Sequence, residues 1–208
     1  IVDCTGNIDY SVGVQSLTAN LETNVMGPLK IISKLNANQR YYYLSSHSVL
    51  LPSERQNSYS ASKLLFENLC RSFGLGPKIT ILRIPAVYSN DRKGGLIYDI
   101  KTAYANKRPF EFTFKGEKWH TMFMDRLVDI ITKIITADRK DDLITVGYPI
   151  SCGIKSILRL AEKELGKAPV SLKSSSSDNY RPDIKRMFKY YKIKSSDFIR
   201  DLTHYFNQ

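Results

Sequence analysis

Tyr59 and Lys63 are the residues of this 208-residue chain with the clearest capacity for chemistry. Four apart in a helix-like run, they share one helical face, one turn from each other. A free phenol titrates near 10, too high for easy proton exchange at neutral pH. An ammonium held ~4 Å away in a medium of effective dielectric ~20 favours the phenolate by about 4 kcal/mol, or roughly three pKa units. A serine hydroxyl aimed at the same substrate oxygen completes a centre for proton transfer between an alcohol and a ketone. Ser45 and Ser46 precede the pair. Ser46 is expected to carry that role, with Ser45 as the alternative or as a cap of the strand–loop junction.

Spacing alone does not single this pair out. Among thirteen tyrosines there is a second such pair, Tyr190 and Lys194. Context separates the two. The stretch Arg40-Tyr41-Tyr42-Tyr43-Leu44-Ser45-Ser46 reads as a strand emerging at its C-terminal end into small polar residues. A loop with Pro52 follows, then a helix from Tyr59 to Phe73 with Leu64, Leu65, Asn68 and Leu69 along its stripe. Lys78 to Pro85 is β-branched and strand-like. Tyr190–Lys194 has no strand-end serine before it and reads as a solvated basic face.

The elements that must position the first pair alternate. Ile1 to Cys4 reads as the end of a buried strand, and Thr18 to Leu35 as a helix with Pro28 at a kink or boundary. Strand, helix and strand follow through Pro85. Such alternation predicts an α/β, doubly wound parallel sheet. Ligands on these sheets bind beyond the C-terminal ends of the strands. Thr5-Gly6, Ser45-Ser46 and Pro85-Ala86-Val87 all fall there. After Tyr88 the texture changes. Helices are expected over 96–106, 124–137 and 154–165, the last closed by Gly166, with short strands over 110–114 and 143–146. A serine-rich loop over 173–178 precedes closing helices over 183–191 and 196–206.

Composition narrows the function classes. At 42% hydrophobic the chain can bury a core, and no apolar run approaches the ~18 residues of a membrane span. No signal-peptide pattern opens it. Cys4, Cys70 and Cys152 are odd in number and far apart, as in the reduced thiols of a cytoplasmic protein. His47, His120 and His204 make no zinc-ligand spacing, so no metal is expected. The formal net charge of +11 suits anionic small molecules such as nucleotides. The basic stretch Arg181 to Arg200, aromatics included, reads as the surface of an amphipathic terminal helix rather than a nucleic-acid interface.

Together these residues resemble the extended short-chain dehydrogenase/reductases, in particular the NAD-dependent epimerase/dehydratase group acting on nucleotide sugars. Thr23-Asn24-Val25-Met26-Gly27-Pro28 is similar to the family's Asn-Val-x-Gly-Thr segment. Leu44 to Val49 is similar to its strand-end serine motif, and Tyr59 with Lys63 to its catalytic pair. Leu82 to Tyr88 resembles the segment whose Pro-Ala-Val backbone lies against the nicotinamide. Phe123-Met124-Asp125-Arg126-Leu127-Val128 resembles a hydrophobic-Asp motif of the C-terminal region. The resemblance implies a Rossmann-like sheet in residues 1–88, as the second half of an NAD(P)-binding domain, and a smaller substrate-binding region over 89–208. It implies catalysis by Ser46, Tyr59 and Lys63, and NAD or NADP held by Thr5, Gly6, Ser45, Tyr59, Lys63, Pro85, Ala86 and Val87. A nucleotide-sugar substrate would meet His47, Tyr88, Lys118, Trp119 and Arg126, in a homodimer without nucleic-acid or membrane partners. Trp119, like Phe114, also reads as core, Lys118 and Arg126 as plain surface cations. Arg181 with Pro182-Asp183 is similar to a segment that sometimes approaches the nucleotide.

Three departures stand beside the resemblance. No Gly-x-x-Gly-x-x-Gly turn between strand and helix occurs. The chain opens where the family's fourth strand would stand, so about three βα units of ~25–30 residues seen in the family lie outside it. His47 and Ser48 replace the Asp-Glu pair of the 4,6-dehydratases, which points to epimerase or reductase chemistry instead. The sugar-binding arginine ahead of Phe123 is replaced by Lys118-Trp119. A non-catalytic scaffolding member that has lost the phosphate cradle is the alternative reading. An activated phenol serves no purpose in such a scaffold.

The pyrophosphate cradle of this fold consists of backbone amides at a glycine-rich turn and a helix N-terminus. Each charge-assisted bond missing from it removes roughly 1.5–3 kcal/mol. Residues 1–208 by themselves are therefore expected to bind NAD(H) negligibly and, with a sheet edge left exposed, to dissolve poorly, and calorimetric titration checks this. Micromolar binding by a well-folded monomer would place the cofactor on other residues.

Overall fold

Three consecutive tyrosines open the strand that organises the first part of the chain, an aromatic run suited to a pleated, half-buried surface. In the computed structural model, which describes residues 1–8, 13–52, 57–75, 78–114, 118–137, 141–174 and 182–208, this strand is β2 (Tyr41–Ser46). It lies between β1 (Val2–Asp3) and β3 (Ile79–Ile84), with β8 (Leu143–Thr145) beyond β3. All three pairings are parallel, and Tyr41, Tyr43 and Ser45 pair with Ile79, Ile81 and Arg83. Parallel neighbours at matching register share a face. Tyr41, Tyr43, Ile79 and Ile81 thus form one apolar surface, completed by Val25, Ile32, Phe66 and Cys70. The fold is α/β with a Rossmann-like parallel sheet, as the alternation predicts.

The chain divides into two compact units. The first comprises Ile1–Pro85, Ala137–Val146 and Pro182–Met187; the second Ala86–Thr136, Gly147–Arg181 and Phe188–Gln208. In the first unit, a long helix joins β1 to β2. It begins as α1 (Val14–Leu21), passes through a π-helical turn (Glu22–Met26) and ends as α2 (Gly27–Ile32). The distortion has a local cause. Pro28 has no N–H for the carbonyl of Asn24 four residues back, and the phenol of Tyr43 donates to that carbonyl at 2.7 Å instead. The sequence places the irregularity at Pro28; the structure widens the turn just ahead of it.

α3 (Ser58–Ser72) joins β2 to β3. Asn57 caps it, accepting from the Ser60 N–H while the Ser60 hydroxyl oxygen accepts from Asn57 N–H, a reciprocal box that satisfies two end donors. Its buried face carries Tyr59, Ser62, Lys63, Phe66, Glu67 and Cys70, at spacings of three and four. The leucine stripe expected from the sequence is not that face: Leu65 and Asn68 are exposed, and Leu64 and Leu69 half-buried. The polar side chains go inward because each finds a partner. Glu67, with no exposed side-chain surface, accepts from Arg83 Nε at 3.0 and 3.1 Å and from Ser45 Oγ at 2.6 Å.

Two further expectations are revised. Val2 is 40% exposed, so β1 is buried only at Asp3. No helix forms over 183–191; a 3-10 turn (Met187–Lys189) stands there. The Asp183 carboxylate accepts from the Lys185 N–H, a local bond that competes with helix formation. Tyr190 and Lys194 therefore do not share a helical face: Lys194 is the N-cap residue of α7 (Ser195–Phe206).

The second unit contains three two-stranded ladders and four helices among its described residues. β4 (Ala86–Tyr88) runs parallel to β7 (Thr121–Phe123), β5 (Phe110–Phe114) runs parallel to β10 (Val170–Ser174), and β6 (Lys118–Trp119) antiparallel to β9 (Cys152–Gly153). α4 (Leu96–Ala105) packs against α6 (Ile154–Leu165), the first burying Ile97 and Ile100 and the second Ile157 and Ala161 at helical spacing, and α7 packs on α6. α5 (Met124–Thr136) follows β7 directly. Gly166 ends α6 at φ 86°, a conformation that glycine adopts without strain. No helix among the described residues is long and apolar enough to cross a membrane.

The Ser45–Glu67–Arg83 cluster tests how far this fold depends on polar pairing. Arg83→Met leaves a fully buried carboxylate without its cation, and a loss of about 3–5 kcal/mol is expected. Urea denaturation measures it; Arg83→Met combined with Glu67→Leu is expected to recover much of the loss.

Candidate active site

Lys63 stands at the centre of the site because two elements converge on its ammonium. The helix α3 carries it inward until only 2% of the residue is exposed. Its Nζ then donates to the carbonyl of Leu44 at 3.0 Å, two residues before the end of β2. The same Nζ lies 4.4 Å from the Tyr43 ring centroid and 5.9 Å from that of Tyr59. Burial pulls the Lys63 ammonium down to about 8 from its ordinary value near 10.5, and the negative charge of Asp3 works against that fall. At neutral pH the group remains mostly charged.

Around it the end of β1 contributes Asp3, Thr5 and Gly6. Asp3 is buried and accepts from the Thr5 N–H at 2.9 Å, from the Thr5 hydroxyl and from the Tyr41 phenol. Burial, with the bond to Asp3, pushes the Tyr41 phenol well up. Gly6 lies so near that a Cβ there would sit 3.5 Å from Lys63 Nζ and 3.7 Å from Asn24 Oδ1. Asn24 holds this corner together. Its amide donates to the Asn7 carbonyl at 3.1 Å, to Ser62 Oγ at 3.0 Å and to Asn20 Oδ1 at 3.3 Å, while its Oδ1 accepts from the Asn7 N–H. The π-helical turn is what aims this side chain at α3, and such turns often mark functional positions.

Ser46 is the last residue of β2 and caps the 3-10 turn that follows (His47–Leu50). Its oxygen accepts from the Ser48 N–H at 3.1 Å and from the Ser48 hydroxyl at 2.9 Å. A hydroxyl has two lone pairs and one proton. With both lone pairs engaged, Ser46 is set up to donate. Ser45 points the other way, into the core, and donates to Glu67. The capping role considered for Ser45 thus falls to Ser46, because strand alternation gives adjacent serines opposite faces.

Several residues singled out by sequence are engaged internally. His47 is buried, with Nε2 2.9 Å from the Val146 carbonyl at the end of β8. Tyr88 is buried among Phe123 and Tyr205, at centroid distances of 5.5 and 5.2 Å. Arg126 makes a two-pronged bond to Asp201, from Nε at 2.9 Å and from its terminal nitrogen at 2.8 Å, and donates to the Tyr191 phenol. Asp201 also accepts from the Tyr148 phenol at 2.6 Å. In this structure all three side chains turn to internal partners. Pro85 is buried between β3 and β4, Ala86 O accepts from the Thr121 hydroxyl, and Val87 O from Arg92. Lys118 and Trp119 lie in β6, and the backbone alone is described there. Arg181 and the residues 175–180 lie outside the described residues.

Asp3, Glu67 and Tyr43 were missed as members of the site by sequence reasoning. Glu67 was within reach: it follows Lys63 by four residues, as Lys63 follows Tyr59, and so lies on the same helical face. Tyr43 was not, since nothing local distinguishes it from Tyr41 and Tyr42.

No protein-family profile matches the sequence, and no curated protein matches it. Solved structures do share the fold. UDP-glucuronic acid 4-epimerase from Bacillus cereus, in complex with UDP-glucuronic acid and NAD, superposes with a TM-score of 0.73 at 17% identity, over 99% of this chain and 74% of that one. UDP-N-acetylglucosamine 4-epimerase from Methanobrevibacter ruminantium M1, in complex with UDP-N-acetylmuramic acid, gives 0.78 at 16% identity over the same shares. RMD from Pseudomonas aeruginosa, complexed with NADPH, gives 0.74 at 13% identity, over 100% of this chain and 81% of that one. The chain therefore shares its fold with these three enzymes over 99% or more of its own length, at the level of backbone architecture.

The buried ammonium has a stability consequence. The unfolded chain binds the Lys63 proton up to about 10.5, the folded chain only up to about 8. Below pH 8 the folded site bears the full penalty of that shift, about 3 kcal/mol. The penalty fades as pH rises from 8 to 10.5. Lys63→Met in the full-length protein is thus expected to be more stable than the parent at pH 7, with the gain shrinking toward pH 10.5. Paired urea titrations at the two pH values check it.

Proposed function

We propose that this chain belongs to the extended short-chain dehydrogenase/reductases and works as an NAD(P)-dependent epimerase or reductase on a nucleotide-linked sugar. The observation that carries the reading is the buried Lys63 ammonium, one helical turn from Tyr59 and anchored two residues from Ser46. A charge is kept out of water at this expense where it serves a reaction more readily than where it serves packing. The fold shared with enzymes crystallised with NAD or NADPH and UDP-sugars supports it.

In this reading Tyr59 takes the proton from a carbinol hydroxyl of the sugar and returns it when the carbonyl is reduced. Lys63 stabilises the phenolate. Ser46, with its lone pairs occupied by Ser48, donates its own proton to the reacting oxygen, where charge develops. The cofactor fits the same corner. Of the three N–H groups of Lys63 one is used by Leu44, leaving two for ribose hydroxyls, and the absence of a side chain at Gly6 keeps that flank open. Thr5, Gly6, Lys63 and the Pro85–Val87 backbone would hold the group. The nicotinamide, when bound, supplies the hydride acceptor and donor, retained in an epimerase and exchanged in a reductase. Residues 1–88 would form the second half of the cofactor domain and residues 89–208 the substrate region. A homodimer would cover Leu17 and Leu65, exposed on the adjoining helices α1 and α3.

The test is steady-state turnover by the full-length protein over a panel of UDP-, TDP- and GDP-sugars, following both epimer composition and NAD(P)H. Tyr59→Phe removes only the phenolic oxygen, and a fall of about 10²–10⁴-fold is expected with sugar-nucleotide binding retained. Tyr190→Phe is expected to stay near the parent rate. A Tyr59→Phe enzyme with most of the parent activity would overturn the assignment and favour the scaffolding alternative.

A further inference from the structure

Tyr43 is held by more contacts than a core tyrosine needs. It has no exposed surface. Its hydroxyl donates to the Asn24 carbonyl at 2.7 Å, the group that Pro28 leaves without a helical donor. Its ring packs on Phe66 at a centroid distance of 4.1 Å. Fixed at both places, the ring lies 4.4 Å from Lys63 Nζ, nearer than the ring of Tyr59 at 5.9 Å. A cation over an aromatic face is attracted by the ring quadrupole, and most strongly where water is excluded.

We propose that Tyr43 is a positioning residue of the site: its ring is the platform that keeps the Lys63 ammonium charged and in place beside Tyr59. The inference rests on the reading of Tyr59 and Lys63 given above and goes beyond it by naming what keeps the lysine protonated. The groups around Lys63 are few. From β1 it meets the Asp3 carboxylate, already bonded to Thr5 and Tyr41. From β2 come the Tyr43 ring and the Leu44 carbonyl. From α3 come Tyr59 one turn back and Glu67 one turn on, the latter neutralised by Arg83 of β3. From the π-helical turn comes the uncharged Asn24 amide, by way of the Gly6 corner. The Leu44 carbonyl, Asp3 and the Tyr43 ring are therefore what oppose the burial of the charge. A weaker ring face lets Lys63 lose its proton at lower pH. From that pH upward the Tyr59 phenolate loses support, and the alkaline limb of the kcat/KM profile for alcohol oxidation moves to lower pH.

The experiment compares phenylalanine analogues at position 43, all without the hydroxyl bond to Asn24, so that along the series it is the electrons of the ring face that change. Phenylalanine and then its tri- and pentafluorinated analogues replace Tyr43 in the full-length protein, with thermal unfolding run on each to verify folding. Tyr43→Phe sets the reference of the series. The alkaline limb is expected to fall with fluorination, by about one pH unit at pentafluorophenylalanine, equivalent to roughly tenfold in kcat/KM on the alkaline side. A role in packing alone would give no such gradation. A limb that ignores fluorination, while Tyr59→Phe is inactive, overturns this inference and leaves the active-site reading standing. Activity retained by Tyr59→Phe overturns both.

Discussion

An ammonium group kept almost wholly from water is the constraint around which the first unit is organised. A bare buried charge is expensive, and the neighbourhood of Lys63 is arranged to offset that cost. The carbonyl of Leu44 takes one proton, the face of Tyr43 lies beneath, and Asp3 supplies opposite charge. Because the first two of these come from β2 and the lysine from α3, satisfying the charge also fixes the helix on the strand.

A second requirement follows from the first. The carbonyl of Asn24 and the side chain of Asn24 serve different ends, and the π-helical turn lets one residue do both. Its carbonyl receives the Tyr43 phenol, and its amide ties Asn7, Asn20 and Ser62 together. Pro28 makes the distortion inexpensive, since the hydrogen bond it forgoes is replaced by a phenol from the sheet. Buried polar networks of this sort tolerate no half-measures: fully paired they specify one packing, and partly paired they destabilise it. The second unit repeats the principle at Asp201, which gathers Arg126 and Tyr148.

Where sequence reading went astray, it did so at such networks. The leucines of α3 were expected inward, yet Tyr59, Lys63 and Glu67 occupy the buried face and Leu65 the exposed one. Hydrophobicity ranks side chains one at a time, whereas burial of a polar group depends on a partner supplied from elsewhere in the chain. Arg83 and Ser45 are those partners for Glu67, and neither is local to it. Arg126 shows the same blindness in reverse: it reads as a cation open to phosphate, and Asp201, far along the sequence, claims it. The helix expected over 183–191 failed for a local reason, an aspartate that bonds the backbone two residues on.

The sequence by itself determined the alternation of strands and helices, the parallel α/β class, the Tyr59–Lys63 spacing and the serine pair at a strand end. These are short-range properties: propensity, capping and periodicity act within a few residues, and a helix sets its own i to i+4 geometry. Only the tertiary structure decided which serine faces outward, which of three tyrosines lies beneath the lysine, and which cations are already paired. Those outcomes turn on register and on contacts between residues distant in the chain, where a one-residue shift reverses the face of every side chain in a strand. Local rules carry no information about that choice; the packing of α3 against β2 does.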